Sequence, residues 1–251
     1  WKRQKAPVFD LGTIPAGNLF STAEDLARFA SALLAGGTGL LKPESLAEMW
    51  RPQLTTESTG FGLGFMVGKF REHRLISHSG AVYGHSTSFA ILPEAKLGVI
   101  VLGNEDVANG RIRRIGNAAL ALLLEAKLGE QPPAPPTVSS APDLAIFTGD
   151  YESQSYWARL ELRASRLVGD LSGQPTRFAS AGELKFTADS RIEDATPVTF
   201  LRDAAGTITG FTMGAQRYER VPANPPPLPK EWRACLGTYG PKFIPLIITE
   251  R

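Results

Sequence analysis

This chain has little of several residue types and patterns on which common functions depend. It has one cysteine, Cys235, so no disulfide can form within it, and a disulfide-stabilised scaffold is excluded. Its most apolar windows, residues 97–102 and 118–124, are far shorter than the roughly 18 apolar residues that a membrane-spanning helix needs. We therefore expect no membrane span within these 251 residues.

The chain also lacks a strong excess of either charge. Its formal net charge is +2, whereas proteins that bind nucleic acid usually carry a basic stripe. The nearest approach to such a stripe is Arg111, Arg113 and Arg114, which we interpret as a solvated helix face. We therefore expect no nucleic-acid partner.

Metal-binding and cofactor motifs are equally scarce. The three histidines, His73, His78 and His85, form no His-x-x-x-His pair, and we expect no metal site. There is no Walker loop, and the glycines of residues 60–64 have the wrong spacing for a dinucleotide turn. That run instead predicts a strand that another backbone approaches closely. We expect no cofactor.

Two proline-rich stretches divide the chain. Proline clusters resist helix and sheet and act as semi-rigid spacers, so we interpret residues 131–142 and 222–229 as linkers. They separate three parts, residues 1–130, 143–221 and 230–251. The chain begins with Trp1 rather than Met, so we expect either that its start was removed or that it is part of a longer polypeptide.

The first part mixes helices and strands. Either Ser21 or Thr22 can cap a helix that ends at Gly36 and Gly37. Further helices are predicted over residues 43–49 and 111–128, and strands over 75–77, 87–92 and 97–102. In the last helix, Ile112, Ile115, Ala119 and Leu122 are predicted to line one face.

The second part has the spacing of a small closed antiparallel barrel, which removes exposed strand edges. Its predicted strands are residues 160–162, 166–171, 183–187, 198–201, 207–213 and 218–221, with a hairpin turn at 203–206. Residues 147–151 recur in altered form as residues 235–239, which suggests a duplicated module whose second copy has only begun; coincidence is the alternative.

Known nucleophile motifs are missing. No serine stands three residues before a lysine, and there is no Gly-x-Ser-x-Gly elbow. What remains is His78-Ser79-Gly80 at the end of a predicted strand. Taken alone, it is typical of a polar strand end followed by a turn glycine.

Several segments in order nevertheless make the chain resemble the penicillin-recognising serine hydrolases, the family of class C β-lactamases, DD-peptidases, D-aminopeptidases and related esterases. The match covers about residues 10–128. The matching segments are residues 15–29, 40–49, 61–65, 78–80, 84–86 and 97–104. The resemblance implies an α+β fold: the C-terminal half of a β-lactamase-like sandwich, followed by a lipocalin-like barrel and the start of a second one.

In that family, His78-Ser79-Gly80 would replace the Lys-Thr-Gly triad at the edge of the active site. The resemblance implies that His78 supplies a donor near the substrate, Ser79 a hydroxyl, and Gly80 room for substrate to lie against the strand. The backbone N–H of Ala81 would be one of two oxyanion donors. His in the first position is seen in peptidases, amidases and esterases more than in true β-lactamases.

The chain departs from the family because it contains neither Ser-x-x-Lys nor Tyr-x-Asn, so the nucleophile would lie outside it. We expect part of an amide or ester hydrolase that works through an acyl-enzyme, whose partners are its substrate and the N-terminal half of the same catalytic domain. The alternative is an inactive homologue that binds a ligand or peptidoglycan through its barrel. The resemblance implies a periplasmic or extracellular location, with a cytoplasmic one also compatible, and an oligomer is possible.

Overall fold

The computed structural model describes residues 12, 16–54, 58–132, 143–222, 227–240 and 246–249. It has a five-stranded antiparallel sheet with three helices, followed by a closed eight-stranded antiparallel barrel. The predicted α+β class is therefore confirmed.

The sheet follows chain order, β1-β2-β3-β4-β5, and every neighbouring pair is antiparallel. Tight turns connect β2 to β3 and β3 to β4. The strands are β1 (Gly60–Phe61), β2 (Met66–Phe70), β3 (His73–Val82), β4 (His85–Leu92) and β5 (Leu97–Gly103).

Helices cover both faces of this sheet. On one face, α1 (Ala23–Leu34) and α2 (Pro43–Met49) pack over a cluster that includes Ile76 and Ile91. On the other face, α3 (Asn109–Leu128) contributes Leu120 and Leu124 to a cluster with Leu92. Between them, the helices bury both faces of β4 over residues 89–92.

The N-terminal cap of α1 is Thr22 rather than Ser21. The Thr22 hydroxyl accepts a hydrogen bond from the N–H of Asp25 at 3.2 Å. Pro43 occupies the first turn of α2, where its missing N–H costs no helical hydrogen bond.

The apolar face predicted for α3 is only partly the buried one. Ile112 is buried, but Ile115 and Leu122 are 57% and 66% exposed. The helix instead buries Gly116, Leu120 and Leu124 against the sheet and Gly110 against the barrel. Glycine carries no apolar side chain, so the hydrophobic pattern did not register these two positions as buried.

The barrel closes in the order β10-β11-β12-β13-β6-β7-β8-β9. Six of its strands coincide with predicted ones, whereas β6 and β9 were not predicted. The strands are β6 (Gly149–Glu152), β7 (Trp157–Arg163), β8 (Arg166–Leu171), β9 (Gln174–Ser180), β10 (Lys185–Asp189), β11 (Thr196–Arg202), β12 (Ile208–Met213) and β13 (Gln216–Arg220).

Aromatic side chains fill the barrel interior. Phe147, Phe200 and Phe211 are at most 1% exposed, and their rings lie in a continuous chain with centroids 4.4 and 5.4 Å apart. Tyr218 stacks on Phe211 at 4.5 Å. The barrel is therefore built around a packed core.

The end of the chain repeats a local structure from the start of the barrel. A 3₁₀ turn (Leu144–Phe147) leads into β6, and another (Lys230–Cys235) leads into β14 (Gly237–Tyr239). Tyr151 donates to the carbonyl of Phe147 at 2.7 Å, and Tyr239 donates to that of Cys235 at 3.0 Å. β14 pairs with β15 (Leu246–Ile248). Duplication of a module remains a prediction, and these matching hydrogen bonds are consistent with it.

Candidate functional site

The second half of β3 extends beyond its neighbour on one side. The β2–β3 ladder ends at the pair Met66–Ser77, whereas the β3–β4 ladder continues to Val82–His85. Residues 78–82 are therefore paired with β4 only, as far as the described residues show. This overhang, residues 78–82, contains all four residues that the sequence predicted for the site.

The register decides which backbone groups of the overhang face its open side. In an antiparallel pair, residues exchange hydrogen bonds with one neighbour and then the other in alternation. His73, Leu75 and Ser77 face β2 across their ladder, and the Val82–His85 pair closes a two-residue turn on the β4 side. The N–H and C=O groups of Ser79 and Ala81 therefore point to the open edge.

Side chains on the overhang alternate between the two faces of the sheet. Phe89, the cross-strand partner of His78, belongs to the cluster beneath α1, with its ring centroid 5.8 Å from that of Phe29. His78 and Gly80 therefore lie on the α1 face. Ser79 pairs with Ser88 and lies on the α3 face. His78, Ser79, Gly80 and Ala81 are all exposed.

Gly80 leaves part of the α1 face of the overhang without a side chain. A Cβ added there would lie 3.0 Å from the Thr87 hydroxyl oxygen, which is tighter than ordinary contact. The absent side chain thus leaves a strip beside His78 where another chain can lie against the strand.

The residues of the overhang are exposed, and they do not line either of two cavities of about 420 Å³. One of these cavities is lined by Glu152, Arg217 and Arg220 on the barrel, and the other by Trp157 and Ile247.

A loop following β5 supports the overhang, and the sequence did not point to it. The Asn109 side-chain amide donates to the Gly80 carbonyl at 3.0 Å, and the Gly84 N–H donates to the Asp106 carboxylate. The fully buried Ser86 hydroxyl donates to the Glu105 carbonyl at 2.7 Å and accepts from the Ala108 N–H at 2.9 Å. The two segments are far apart in the sequence, and they meet only in the folded chain.

The other histidines lie apart from His78. His73, at the opposite end of β3, is 2.7 Å from the Glu130 carboxylate, which also lies 3.9 Å from Arg71. His85 is exposed at the turn. Among the residues described, no three His, Cys, Asp or Glu side chains cluster in a way that could hold a metal. No helix within the same ranges is long and apolar enough to cross a bilayer.

Comparison with known proteins gives the first part of the chain a family. Residues 1–124 match the family model described as Beta-lactamase. Residues 1–124 belong to the beta-lactamase-like family. A human protein named as beta-lactamase-like 1 is 32% identical over 253 aligned positions, which cover 96% of this chain.

The chain spans less than half of that relative, 46% of its length. Among solved structures, it is similar to two described as "Crystal structure of SurE" and "Crystal structure of SurE with D-Leu". The TM-scores are 0.43 and 0.42 and the sequence identities 24% and 25%, over 80% of this chain and 48% and 50% of the other chains.

Proposed function

We propose that this chain supplies one wall of the active site of a serine hydrolase that cleaves amide or ester bonds through an acyl-enzyme. The observation that carries the proposal is the β3 overhang, which lies within the family-matched residues and presents His78 beside two outward-facing backbone N–H groups. The attacking serine lies outside the chain, on the N-terminal half of the catalytic domain.

The open strand edge suits both binding and catalysis. An extended peptide or acyl chain can add to it as a further strand, with the N–H and C=O of Ser79 as partners. The N–H of Ala81 then donates to the oxygen that becomes negatively charged when the serine attacks. One such donor contributes roughly 3 kcal/mol to transition-state stabilisation.

His78 lies where it can hydrogen-bond a substrate group on the α1 face of the strip. An imidazole ring can donate a hydrogen bond whether it is neutral or charged. His78 would orient substrate there and help to transfer a proton.

The competing proposal is an inactive homologue that binds ligand or peptidoglycan through the barrel. The aromatic core argues against it, because Phe147, Phe200 and Phe211 occupy the space that an internal ligand would need. We therefore favour the hydrolase.

The experiment compares His78→Ala with His85→Ala, a second exposed histidine on the same hairpin, in a polypeptide that includes the N-terminal half. The parent should react covalently with a serine-directed phosphonate. The His78→Ala variant should lower kcat/KM for amide or ester substrates by about 10² or more, the scale of general acid and base roles. The His85→Ala variant should stay near the parent.

Two results would count against this proposal. A parent that fails to react with the phosphonate would remove the hydrolase assignment. An unchanged kcat/KM in His78→Ala would leave His78 a polar strand end.

The isolated chain gives a separate prediction. Without the serine, it should not hydrolyse D-alanyl amides, p-nitrophenyl esters or nitrocefin, as followed by absorbance and product chromatography. Turnover by the isolated chain would mean that its nucleophile lies within these residues.

A further inference from the structure

The loop between β10 and β11, residues 190–195, contacts the first turns of α3 in the sheet domain. The N–H of Gly110 donates to the carbonyl of Arg191 at 2.7 Å. A Cβ on Gly110 would lie 2.5 Å from the carbonyl oxygen of Glu193. The loop and the first turn of α3 are therefore in direct backbone contact.

Ion pairs and side-chain hydrogen bonds also join this loop to α3. The Asp194 side chain is only 9% exposed and accepts from Arg114 at 2.9 Å and from Asn117 at 3.1 Å. Arg114 also pairs with Asp189, and the hydrogen bond that it donates to Asp194 raises the pKa of Arg114. Arg111, Arg113 and Arg114 are about half exposed, as the interpretation of a solvated face expects, but Arg113 and Arg114 also contact the barrel.

From this docked loop, Arg191 reaches the segment that supports the overhang. Its guanidinium donates to the Asp106 carbonyl and lies 3.4 Å from the Glu105 carboxylate. Asp106 in turn accepts from the Gly84 N–H at the tip of the β3–β4 hairpin. The side chains of Arg191 and Asp106 therefore connect the barrel loop to the tip of the β3–β4 hairpin.

Within the described part of the chain, the overhang has hydrogen-bonded strand pairing on one side only, so contacts with other segments can stabilise it. Beyond Ser77, β3 is paired on one side only among the described residues, and an edge paired on one side opens more readily than a strand paired on both. Arg191 and Asp106 hold the turn in place, while Asn109 holds the Gly80 carbonyl.

We propose that the barrel loop is a positioning element for the candidate active site, and that Arg191 is its positioning residue. Docking of the loop fixes residues 104–109, and these fix the direction of the Ala81 N–H. The catalytic consequence rests on the proposed function, whereas the structural consequence does not.

The test measures backbone amide exchange in Arg191→Ala, with Arg202→Ala as the matched control. Arg202 also lies on the barrel and pairs with an acid, Glu183, at 2.6 Å. In Arg191→Ala, exchange over residues 78–86 should accelerate about tenfold or more, while the barrel strands stay protected. Arg202→Ala should leave residues 78–86 unchanged, and Arg191→Lys should restore part of the protection.

Asp106→Ala tests the last step of this path, because it removes the carboxylate that accepts the Gly84 N–H and keeps the carbonyl that accepts Arg191. It should accelerate exchange over the same residues. In the active polypeptide, Arg191→Ala should lower kcat more than it raises KM, because the Ala81 donor acts on the transition state.

The two proposals fail separately. Unchanged exchange over residues 78–86 in both Arg191→Ala and Asp106→Ala would overturn the positioning role, whether or not the polypeptide is a hydrolase. A polypeptide without hydrolase activity would overturn the proposed function, and the exchange result would still decide the role of Arg191.

Discussion

At position 110, the absence of a side chain lets the barrel reach the sheet domain. Gly110 is buried, and its N–H bonds to the opposing loop. Gly116, two turns along the same helix, has ordinary room, because a Cβ there would lie 3.7 Å from Val101. A side chain is therefore sterically excluded at Gly110 and tolerated at Gly116.

We expect Gly110→Ala to separate the loop from α3, because the added carbon would overlap the Glu193 backbone. Scattering should report a larger radius of gyration, and residues 78–86 should exchange faster. Gly116→Ala is the control. It should be neutral or stabilising by up to about 1 kcal/mol, because alanine favours helix over glycine. Equal behaviour of the two variants would contradict the close contact.

Tyr151 couples barrel stability to alkaline pH. Burial raises the pKa of Tyr151 from 10.0 to about 12. Because the pKa of Tyr151 is higher in the folded state than in the unfolded state, the unfolded chain loses this proton first as pH rises. The contribution of Tyr151 to the free energy of unfolding is therefore fully present below pH 10 and is lost as pH rises towards 12. The loss attributable to this group is about 2–3 kcal/mol.

Tyr151→Phe should make the free energy of unfolding less dependent on pH across that window, as measured by denaturant titration. At neutral pH it should cost about 1 kcal/mol, since the hydrogen bond to Phe147 is lost. Tyr156→Phe, at a side chain that is 49% exposed, is the control. A pH dependence that Tyr151→Phe leaves unchanged would contradict this assignment.

Among the helices, α1 offers a test of a single cap. The Thr22 hydroxyl accepts the Asp25 N–H, whereas the Ser21 hydroxyl only donates, to the Thr22 carbonyl at 3.4 Å. Thr22→Ala should lower the free energy of unfolding by about 1 kcal/mol, and Ser21→Ala should change it little. Equal losses in urea titrations of the two variants would mean that the cap is shared.

Elements with strong periodic patterns could be predicted from the sequence, and those defined by long-range contacts could not. β4, β5 and β8 were predicted because apolar or β-branched residues recur between turn residues. β9 begins with Gln174 and Pro175, which do not favour a strand. It forms because its backbone pairs with β8 on one side and β10 on the other, and this pairing exists only in the folded barrel.

The candidate site divides in the same way. His78, Ser79, Gly80 and Ala81 could be singled out from a local motif and a resemblance. Asp106, Asn109 and Arg191 could not, because their partners lie far along the chain and no local pattern connects them. The close approach predicted for residues 60–64 is confirmed at Gly62, where a Cβ would lie 2.1 Å from the Met49 carbonyl oxygen.

On the scale of the whole molecule, large apolar side chains remain exposed on the sheet domain. Leu19, Phe20 and Phe61 are 88%, 87% and 68% exposed, and Leu122 and Ile115 add to them on α3. Exposed apolar patches drive association. We expect the N-terminal half of the catalytic domain to cover part of this surface.

The isolated chain should therefore associate, with a sedimentation coefficient that rises with concentration. Leu122→Lys should reduce this association, whereas Leu162→Lys, at a barrel side chain that is 43% exposed, should not. A monomer that melts in one two-state transition would contradict the expectation.

The docked loop at residues 190–195 limits how such a protein can be recombined. A foreign barrel grafted onto this sheet would arrive without an arginine that reaches the Asp106 carbonyl and without an aspartate that receives Arg114. Swaps that move residues 189–195 together with residues 104–128 keep both partners of each contact. Sheet and barrel should therefore be inherited as a pair.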